Sequence, residues 1–216
     1  MKYKAVIFDL DGTLLDTLDD LADGVNYALE FYSLPKRTTD EIRSFVGNGV
    51  ANLISRSVPD GCDEETVNKV LKTFKPYYAA HSRCKTKPYD GILKVLDTLN
   101  EKGIKTAIVS NKFDAAVKEL NSFYFGERIK TALGETPDIK RKPAPDMVFA
   151  ALDELGVLAC ESVYIGDSEG DITVSDAAGL DCICATWGFR SREVLEKSGG
   201  TAFADTPAEL LSILID

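Results

Sequence analysis

The stretch YKAVIFDLDGTLLDT, residues 3–17, opens with an apolar run and continues into a cluster of acidic and turn residues. The run has the length and continuous apolarity of a buried parallel strand. Asp9 ends it, and Asp11 follows in a loop that Gly12 allows to turn. Two carboxylates this close repel each other, and the usual resolution is that one stays ionised while the other holds a proton. The pair therefore offers a nucleophile and an acid at one strand end.

Further apolar, β-branched runs predict three more strands, at KTAIVSN (105–111), SVYIGD (162–167) and DCICAT (181–186). Helical patterns lie between them, including one over residues 92–99, where apolar residues repeat at i, i+3, i+4 and i+7. Alternation of strands and helices predicts an α/β fold whose core is a Rossmann-like, doubly wound parallel sheet.

The interval from 17 to 84 breaks this alternation. It contains three helical patterns in succession, over 18–32, 42–53 and 67–78, with no strand-like run between them. A helical unit inserted after the first strand is the simplest account. We expect residues 1–16 and 85–216 to form the α/β core and residues 17–84 to form the insertion.

Polar clusters fall at or near the carboxyl ends of the predicted strands: Asp9 with Asp11, Ser110 with Asn111, Lys142 ahead of a helix, and Asp167 with Asp171. Any one of these is an ordinary loop or helix start, but their common location is specific, because ligands of open parallel sheets bind beyond those ends. The carboxylates need a cation, and oxygen ligands of this kind favour Mg²⁺ together with a substrate phosphate. Lys142 adds positive charge, and Ser110 with nearby backbone amides can bind phosphate oxygens.

The charge balance limits the partners. With 35 acidic and 25 basic residues, the net charge is −10, which argues against nucleic acid as a partner. No stretch approaches the roughly 18 apolar residues of a membrane span, and the N-terminal apolar run is too short for a signal peptide. We therefore expect a cytoplasmic protein with no membrane partner, whose anionic substrate needs local positive charge.

The segments DLDGTLLDT, VSNK, KRKPAP and GDSEGD stand in the order and spacing of the four motifs of the haloacid dehalogenase superfamily, which the chain resembles over nearly its whole length. The resemblance implies that Asp9 attacks phosphorus to form an aspartyl phosphate, and that Asp11 protonates the leaving oxygen and then activates water. It implies that Lys142 acts with them and that Asp171 supports Lys142. The implied Mg²⁺ ligands are the Leu10 carbonyl and the carboxylates of Asp9, Asp11, Asp167 and Asp171. Dehalogenating members generally lack the second aspartate, so Asp11 favours phosphoryl transfer.

The helical insertion is similar to the small α-helical cap of this superfamily, which closes over the site and carries substrate specificity. FVGNGVANLISRSV (45–58) and TWGFR (186–190) resemble the corresponding stretches of phosphoglycolate phosphatases. Gly47 and Gly49 are either a loop between two cap helices or a turn that faces the substrate, because a glycine pair lets backbone amides approach an anion closely. The predicted substrate-binding residues are Thr13, Gly47, Asn48, Ser110 and Asn111. Arg56 and Arg190 are candidates to pair with a substrate carboxylate, or are surface residues.

The first hypothesis is a Mg²⁺-dependent phosphatase of a small phosphorylated metabolite, with phosphoglycolate the leading candidate. The alternatives are a phosphosugar mutase similar to β-phosphoglucomutase, another small-molecule phosphatase such as a pyrophosphatase, and a non-catalytic sensor that binds phosphate or Mg²⁺. Following phosphate release against isomer formation separates the first two. The oligomeric state is left open between a monomer and a homodimer.

Overall fold

The computed structural model describes residues 2–215. The strands are β1 (Ala5–Phe8), β2 (Leu15–Asp16), β3 (Lys87–Pro88), β4 (Lys105–Phe113), β5 (Thr131–Glu135), β6 (Ser162–Gly166), β7 (Asp181–Ala185) and β8 (Phe203–Ala204). The α-helices are α1 (Leu18–Phe31), α2 (Thr39–Phe45), α3 (Gly49–Ser57), α4 (Glu64–His81), α5 (Ile92–Glu101), α6 (Asp114–Tyr124), α7 (Asp146–Leu155), α8 (Glu169–Ala178), α9 (Arg192–Lys197) and α10 (Pro207–Ile215). Two short 3₁₀ turns cover Gly126–Arg128 and Ala159–Glu161.

Six strands form one sheet in the order β5-β4-β1-β6-β7-β8, and every neighbouring pair is parallel. From β1 the chain builds outward through β4 to β5 on one side, and later through β6, β7 and β8 on the other. Such a reversal leaves a crevice at the carboxyl ends of the strands. The predicted doubly wound α/β fold is confirmed, as are the four predicted strands. Strands β5 and β8 were not predicted. Strand β8 has only two residues, and Gly134 interrupts the apolar pattern of β5.

Helices cover both faces of the sheet. Side chains of β1 alternate between them: Val6 and Phe8 pack in a buried cluster with α5 and α10, whereas Ala5 and Ile7 pack in another with α7 and α8. All four are fully buried. A strand buried on both faces needs a continuous apolar run, which is the pattern that the sequence shows there.

The four helices α1 to α4 share a separate buried cluster, to which Leu21, Val25, Phe74 and Tyr78 belong. The chain enters and leaves this region through β2 and β3, which pair antiparallel with Leu15 opposite Pro88. The buried carboxylate of Asp20, in α1, accepts backbone N–H bonds from the segment that follows α4. The segments that enter and leave the cap therefore lie side by side. We keep 17–84 as the proposed limits of the cap.

The middle pattern of the cap, over 42–53, is wrong as a single helix, because the structure has two helices there. The alternative, that Gly47 and Gly49 lie in a loop between two cap helices, is confirmed. Helix α2 ends at Phe45, Val46 is extended with ψ 152°, and Gly47 has φ +125°. Gly49 then starts α3 with φ +79°. Apolar spacing continues across the break, but two glycines in the left-handed region allow the chain to turn between the helices.

No helix within residues 2–215 combines the length and apolarity that crossing a bilayer requires.

Candidate active site

A pocket lies where the carboxyl ends of β1, β4 and β6 face the cap. Its polar lining comes from the sheet side: Asp9, Asp11, Ser110, Asn111, Lys112, Lys142, Asp167, Ser168 and Arg190. Its apolar lining comes mostly from the cap: Leu21, Val46, Gly47, Gly49, Val50, Leu53 and, from the sheet side, Phe189. Polar groups that converge at one end of a largely apolar pocket are typical of a small-molecule site.

Asp9 directly follows β1, and its backbone N–H donates to the Ile165 carbonyl of β6 at 2.9 Å. The side chain is buried, and its Oδ1 lies 2.9 Å from the Lys142 ammonium. That contact has the distance of an ion pair but not the angles of a hydrogen bond, so Oδ1 accepts none from the described residues. Burial raises the pKa of Asp9 to about 7; Lys142 opposes this change and Asp171 adds to it. Asp9 is thus a buried carboxylate with a free acceptor position beside a fixed ammonium.

Lys142 lies between two carboxylates and a phenol, all buried. Its ammonium donates to Asp171 Oδ1 at 2.7 Å and to the Tyr164 hydroxyl at 3.1 Å. Asp171 Oδ2 accepts from the Ser168 backbone N–H at 3.0 Å and from the Ser168 hydroxyl at 2.6 Å. Burial opposes the charge of Lys142, but Asp171 and Asp9 raise its pKa well above the ordinary value. The network fixes one positive charge beside Asp9.

Asp167 follows β6 and is held on both oxygens. Thr13 donates its hydroxyl to Oδ1 at 3.0 Å, and the Phe189 backbone N–H donates to Oδ2 at 2.7 Å. A Cβ placed on Gly12 or Gly188 would come within 2.3 Å of this side chain, so glycine is required on both sides. Burial, together with the neighbouring carboxylates, raises the pKa of Asp167 well above its ordinary value.

Carboxylate oxygens of Asp9, Asp167 and Asp171 lie within 4.8 Å of one another, and all three side chains are buried. Buried like charges at this spacing are costly unless protons or a cation offset them. Hard carboxylate oxygens suit Mg²⁺.

Asp11, the fourth predicted metal ligand, is outside that group. Its Oδ1 accepts from the Thr17 hydroxyl at 2.7 Å and from the Lys112 ammonium at 2.9 Å, while Oδ2 lies 3.1 Å from the same ammonium. Burial opposes the charge on Lys112, but Asp11 and Tyr78 raise its pKa. The pocket therefore holds a second fixed ammonium, which the sequence analysis did not identify.

Residues 6–185 match the family model described as haloacid dehalogenase-like hydrolase. The chain belongs to this family. A phosphoglycolate phosphatase of Haemophilus influenzae (strain 86-028NP) is 32% identical over 224 aligned positions, with 99% of each chain covered. One of Pseudomonas fluorescens (strain Pf0-1) is 29% identical, covering 99% of this chain and 80% of that protein. The crystal structure of a candidate phosphoglycolate phosphatase from Lactobacillus delbrueckii subsp. bulgaricus superposes with a TM-score of 0.94 at 41% identity, with 99% of each chain covered.

The predicted membership of the haloacid dehalogenase family is confirmed, and so is the predicted class, a phosphoric monoester hydrolase. Within this hydrolase, the structure brings Asp9, Asp11, Ser110, Asn111, Lys142 and Asp167 to one pocket. Asp171 lies behind Lys142 and Ser168, with both carboxylate oxygens hydrogen-bonded.

Of three residues predicted to bind substrate, only one lines the pocket. Gly47 lines the pocket, whereas Asn48 and Thr13 do not. Thr13 is fully buried and supports Asp167. Asn48 is the N-cap of α3 and makes no capping hydrogen bond with its side chain.

The two arginine candidates are occupied elsewhere. Arg190 donates from Nε to Glu169, and from Nη1 and Nη2 to the cap carbonyls of Arg43 and Val46 at 2.8 and 2.6 Å. Arg56 is outside the pocket lining and donates to the Ser44 carbonyl at 3.0 Å. Arg190 therefore joins core to cap in this hydrolase, and each of its three donor nitrogens has a protein acceptor.

Proposed function

We propose that this hydrolase is a Mg²⁺-dependent phosphatase that cleaves phosphoglycolate through an aspartyl phosphate on Asp9. The observation that carries the proposal is the buried Asp9 carboxylate, whose Oδ1 has no hydrogen-bond donor among the described residues and which lies beside a fixed ammonium at the bottom of the pocket. An oxygen nucleophile needs such a free lone pair to attack phosphorus.

The charges of the pocket fit Mg²⁺. Four carboxylates, from Asp9, Asp11, Asp167 and Asp171, face two ammonium groups, from Lys112 and Lys142. Two negative charges are left over when all are ionised, and one divalent cation balances them. Asp9 and Asp167 would hold the metal, with Asp171 next to it. When bound, Mg²⁺ supplies the positive charge that neutralises phosphate oxygens and allows the anion to approach Asp9.

The chain's own residues account for the two proton transfers. An Asp9 oxygen attacks phosphorus as the bond from phosphorus to the leaving alcohol breaks, and protonated Asp11 gives its proton to the leaving oxygen. Ionised Asp11 then takes a proton from a water, whose oxygen attacks phosphorus while the bond to Asp9 breaks. Lys142 and Ser110 hold the phosphoryl oxygens, because both line the pocket beside Asp9. The Asn111 side chain instead positions the pocket wall, since its Nδ2 donates to the Gly47 and Lys142 carbonyls.

The substrate assignment rests on the named relatives and on the cap side of the pocket. Leu21, Val46, Val50 and Leu53 line that side with apolar surface, so the polar recognition of the substrate has to come from backbone groups there. The N-terminus of α3 begins at Gly49 on the pocket wall, with no acidic residue in its first turn. Free backbone N–H groups at a helix start suit an anion such as the glycolate carboxylate.

The test compares phosphate release from phosphoglycolate, a hexose phosphate, pyrophosphate and an aryl phosphate, with and without Mg²⁺. We expect the largest kcat/KM for phosphoglycolate, no isomer of the hexose phosphate, and no turnover without a divalent metal. Preferred pyrophosphate hydrolysis, or an isomerised hexose phosphate, would replace this function by one of its alternatives. No hydrolysis of any of these esters would favour a sensor.

The nucleophile is tested separately with Asp9→Asn. The variant should fold and lose turnover, and acid-quenched wild-type protein should carry phosphate on the peptide that contains Asp9. Asp153→Asn, at an exposed position of α7, is the matched control and should keep full activity. Appreciable activity in pure Asp9→Asn protein would remove Asp9 from this role. The cytoplasmic location and the state as monomer or homodimer stay predictions from the sequence.

A further inference from the structure

Lys112 is a buried lysine at the wall of the pocket. Its side chain is only 2% exposed, its ammonium contacts both oxygens of Asp11, and it lies 4.6 Å from the centre of the Tyr78 ring. Asp11 belongs to the core, whereas Tyr78 belongs to the cap helix α4. A buried lysine is costly unless its charge is matched, and the structure matches it with one carboxylate and one aromatic face.

The two oxygens of Asp11 are unequal. Oδ1 accepts two hydrogen bonds, from Thr17 at 2.7 Å and from Lys112 at 2.9 Å, whereas Oδ2 has only the longer 3.1 Å contact with Lys112. A carboxylate oxygen has two lone pairs in its plane, so both of those on Oδ1 are used. Oδ2 keeps a lone pair that can carry a proton.

We propose that Lys112 is a positioning residue, which with Thr17 fixes the rotation of the Asp11 carboxylate so that Oδ2 gives and takes the catalytic proton. The inference rests on the proposed function, in which Asp11 is the acid and base. In the acid form, Oδ2 carries the proton and Oδ1 keeps both donors. In the base form, the same contacts hold the anion in place for the attacking water.

The placement argues against a direct role in holding substrate. The hydrogen bonds of the Lys112 ammonium go to Asp11, and the centre of the Tyr78 ring lies 4.6 Å from it. Thr17 is fully buried and immediately precedes α1. Thr17 therefore holds Asp11 from the start of the cap, and Lys112 holds it from β4. An acid needs such a fixed position if its proton is to reach the leaving oxygen.

Lys112→Met tests the proposal, because methionine keeps the unbranched stem and removes the charge. An alkoxide leaving group, as in phosphoglycolate, needs a proton, whereas the phenolate of 2,4-dinitrophenyl phosphate leaves without one. The ratio kcat/KM reports steps up to loss of the leaving group. We expect Lys112→Met to lower kcat/KM about 100-fold for phosphoglycolate and less than about 3-fold for the dinitrophenyl ester.

Two further variants define the pattern. Asp11→Asn should lose kcat/KM selectively for phosphoglycolate, as Lys112→Met does. Adding Lys112→Met to Asp11→Asn should lower kcat/KM for phosphoglycolate no further, since both changes remove the same function. Lys118→Met, which removes an exposed lysine paired with Asp114 on α6 at 2.7 Å, is the matched control. It should leave both substrates unchanged.

An equal loss with both esters would overturn the proposal in favour of a structural role, and no loss would overturn it outright. If Lys112→Met does not fold, Thr17→Val, which removes the other donor to Oδ1, carries the test. It should give a selective loss of about 10-fold, and an unselective one would refute the inference. If wild-type protein prefers another alkyl phosphate to phosphoglycolate, that ester takes its place, so the substrate assignment and the role of Lys112 fail independently.

Discussion

The buried charge of Asp9 predicts that the metal-free protein loses stability as the pH rises. The folded chain raises the pKa of Asp9 from 3.8 to about 7, chiefly through burial. Between these values the folded state keeps a proton that the unfolded chain has released, so stability falls as the pH rises through this window. The difference corresponds to about 4 kcal/mol, lost in full above pH of about 7.

Thermal unfolding in the presence of a chelator measures this effect. For a chain of this length, about 4 kcal/mol corresponds to a fall in Tm of roughly 8 to 16 °C between acidic and mildly alkaline buffer. Asp9→Asn is neutral at every pH, so its Tm should fall less over the same range by the share that Asp9 contributes. Asp167, whose pKa is also raised by burial, contributes to the fall in both proteins. The difference between the two proteins isolates Asp9 from the other titrating groups.

Mg²⁺ should reverse the loss, because a cation binds the ionised carboxylates and competes with their protons. We expect Mg²⁺ to raise the Tm of the wild-type protein substantially at pH of about 8 and little at about 5. The reasoning is refuted if the Tm of wild-type and Asp9→Asn protein falls in parallel. A Mg²⁺ effect that is the same at both pH values would refute the metal's place beside Asp9.

Three more substitutions test other contacts. Gly188→Ala would place a Cβ 2.3 Å from the Asp167 side chain and should raise the Kd for Mg²⁺ about 10-fold to 100-fold by calorimetry; an unchanged Kd would place the metal elsewhere. Arg190→Gln loses donors to two cap carbonyls and should raise KM more than it lowers kcat, whereas an unchanged KM would contradict a role in holding the cap. Asp20→Ala leaves the backbone N–H groups of Lys85 and Thr86, the second of them buried, without their acceptor and should cost about 2 kcal/mol in urea unfolding; a cost near zero would show that water replaces it.

The parts that the sequence predicted well are those set by local pattern. A strand buried on both faces must be continuously apolar, so β1, β4, β6 and β7 were visible as apolar runs. The charged groups that end those strands are visible for the same reason, because they interrupt an apolar pattern. Asp9 and Asp167 were therefore predicted together at one edge of the sheet.

The cap shows where local pattern fails. Apolar spacing runs through Val46 into α3, so the sequence favoured a single helix from 42 to 53. Backbone conformation decides against it, since Gly47 and Gly49 both have positive φ. Glycine permits this conformation without requiring it, and only packing against the core selects it. Two core residues supply those contacts: Asn111 donates to the Gly47 carbonyl at 3.3 Å, and Arg190 donates to the Val46 carbonyl.

Lys112 was not predicted as a site residue for a different reason. The predicted strand ended at Asn111, and strict alternation would turn successive side chains to opposite faces. In the structure β4 continues to Phe113, yet Ser110, Asn111 and Lys112 all line the same pocket. That placement breaks the alternation, and the pairing with β5 shows why.

Val109 of β4 is opposite Leu133 of β5, but Phe113 is opposite Glu135, so β4 carries two extra residues over this interval. Such a bulge turns side chains away from their regular face and is common beside active sites. Gly134 lies opposite it, and a Cβ there would come within 2.6 Å of the Lys112 carbonyl. The bulge therefore depends on a glycine more than 20 residues away along the chain, in a strand that the sequence did not reveal. Ser110, which we propose binds phosphate, and Lys112, which we propose orients Asp11, can share one strand end only because β4 leaves its register there.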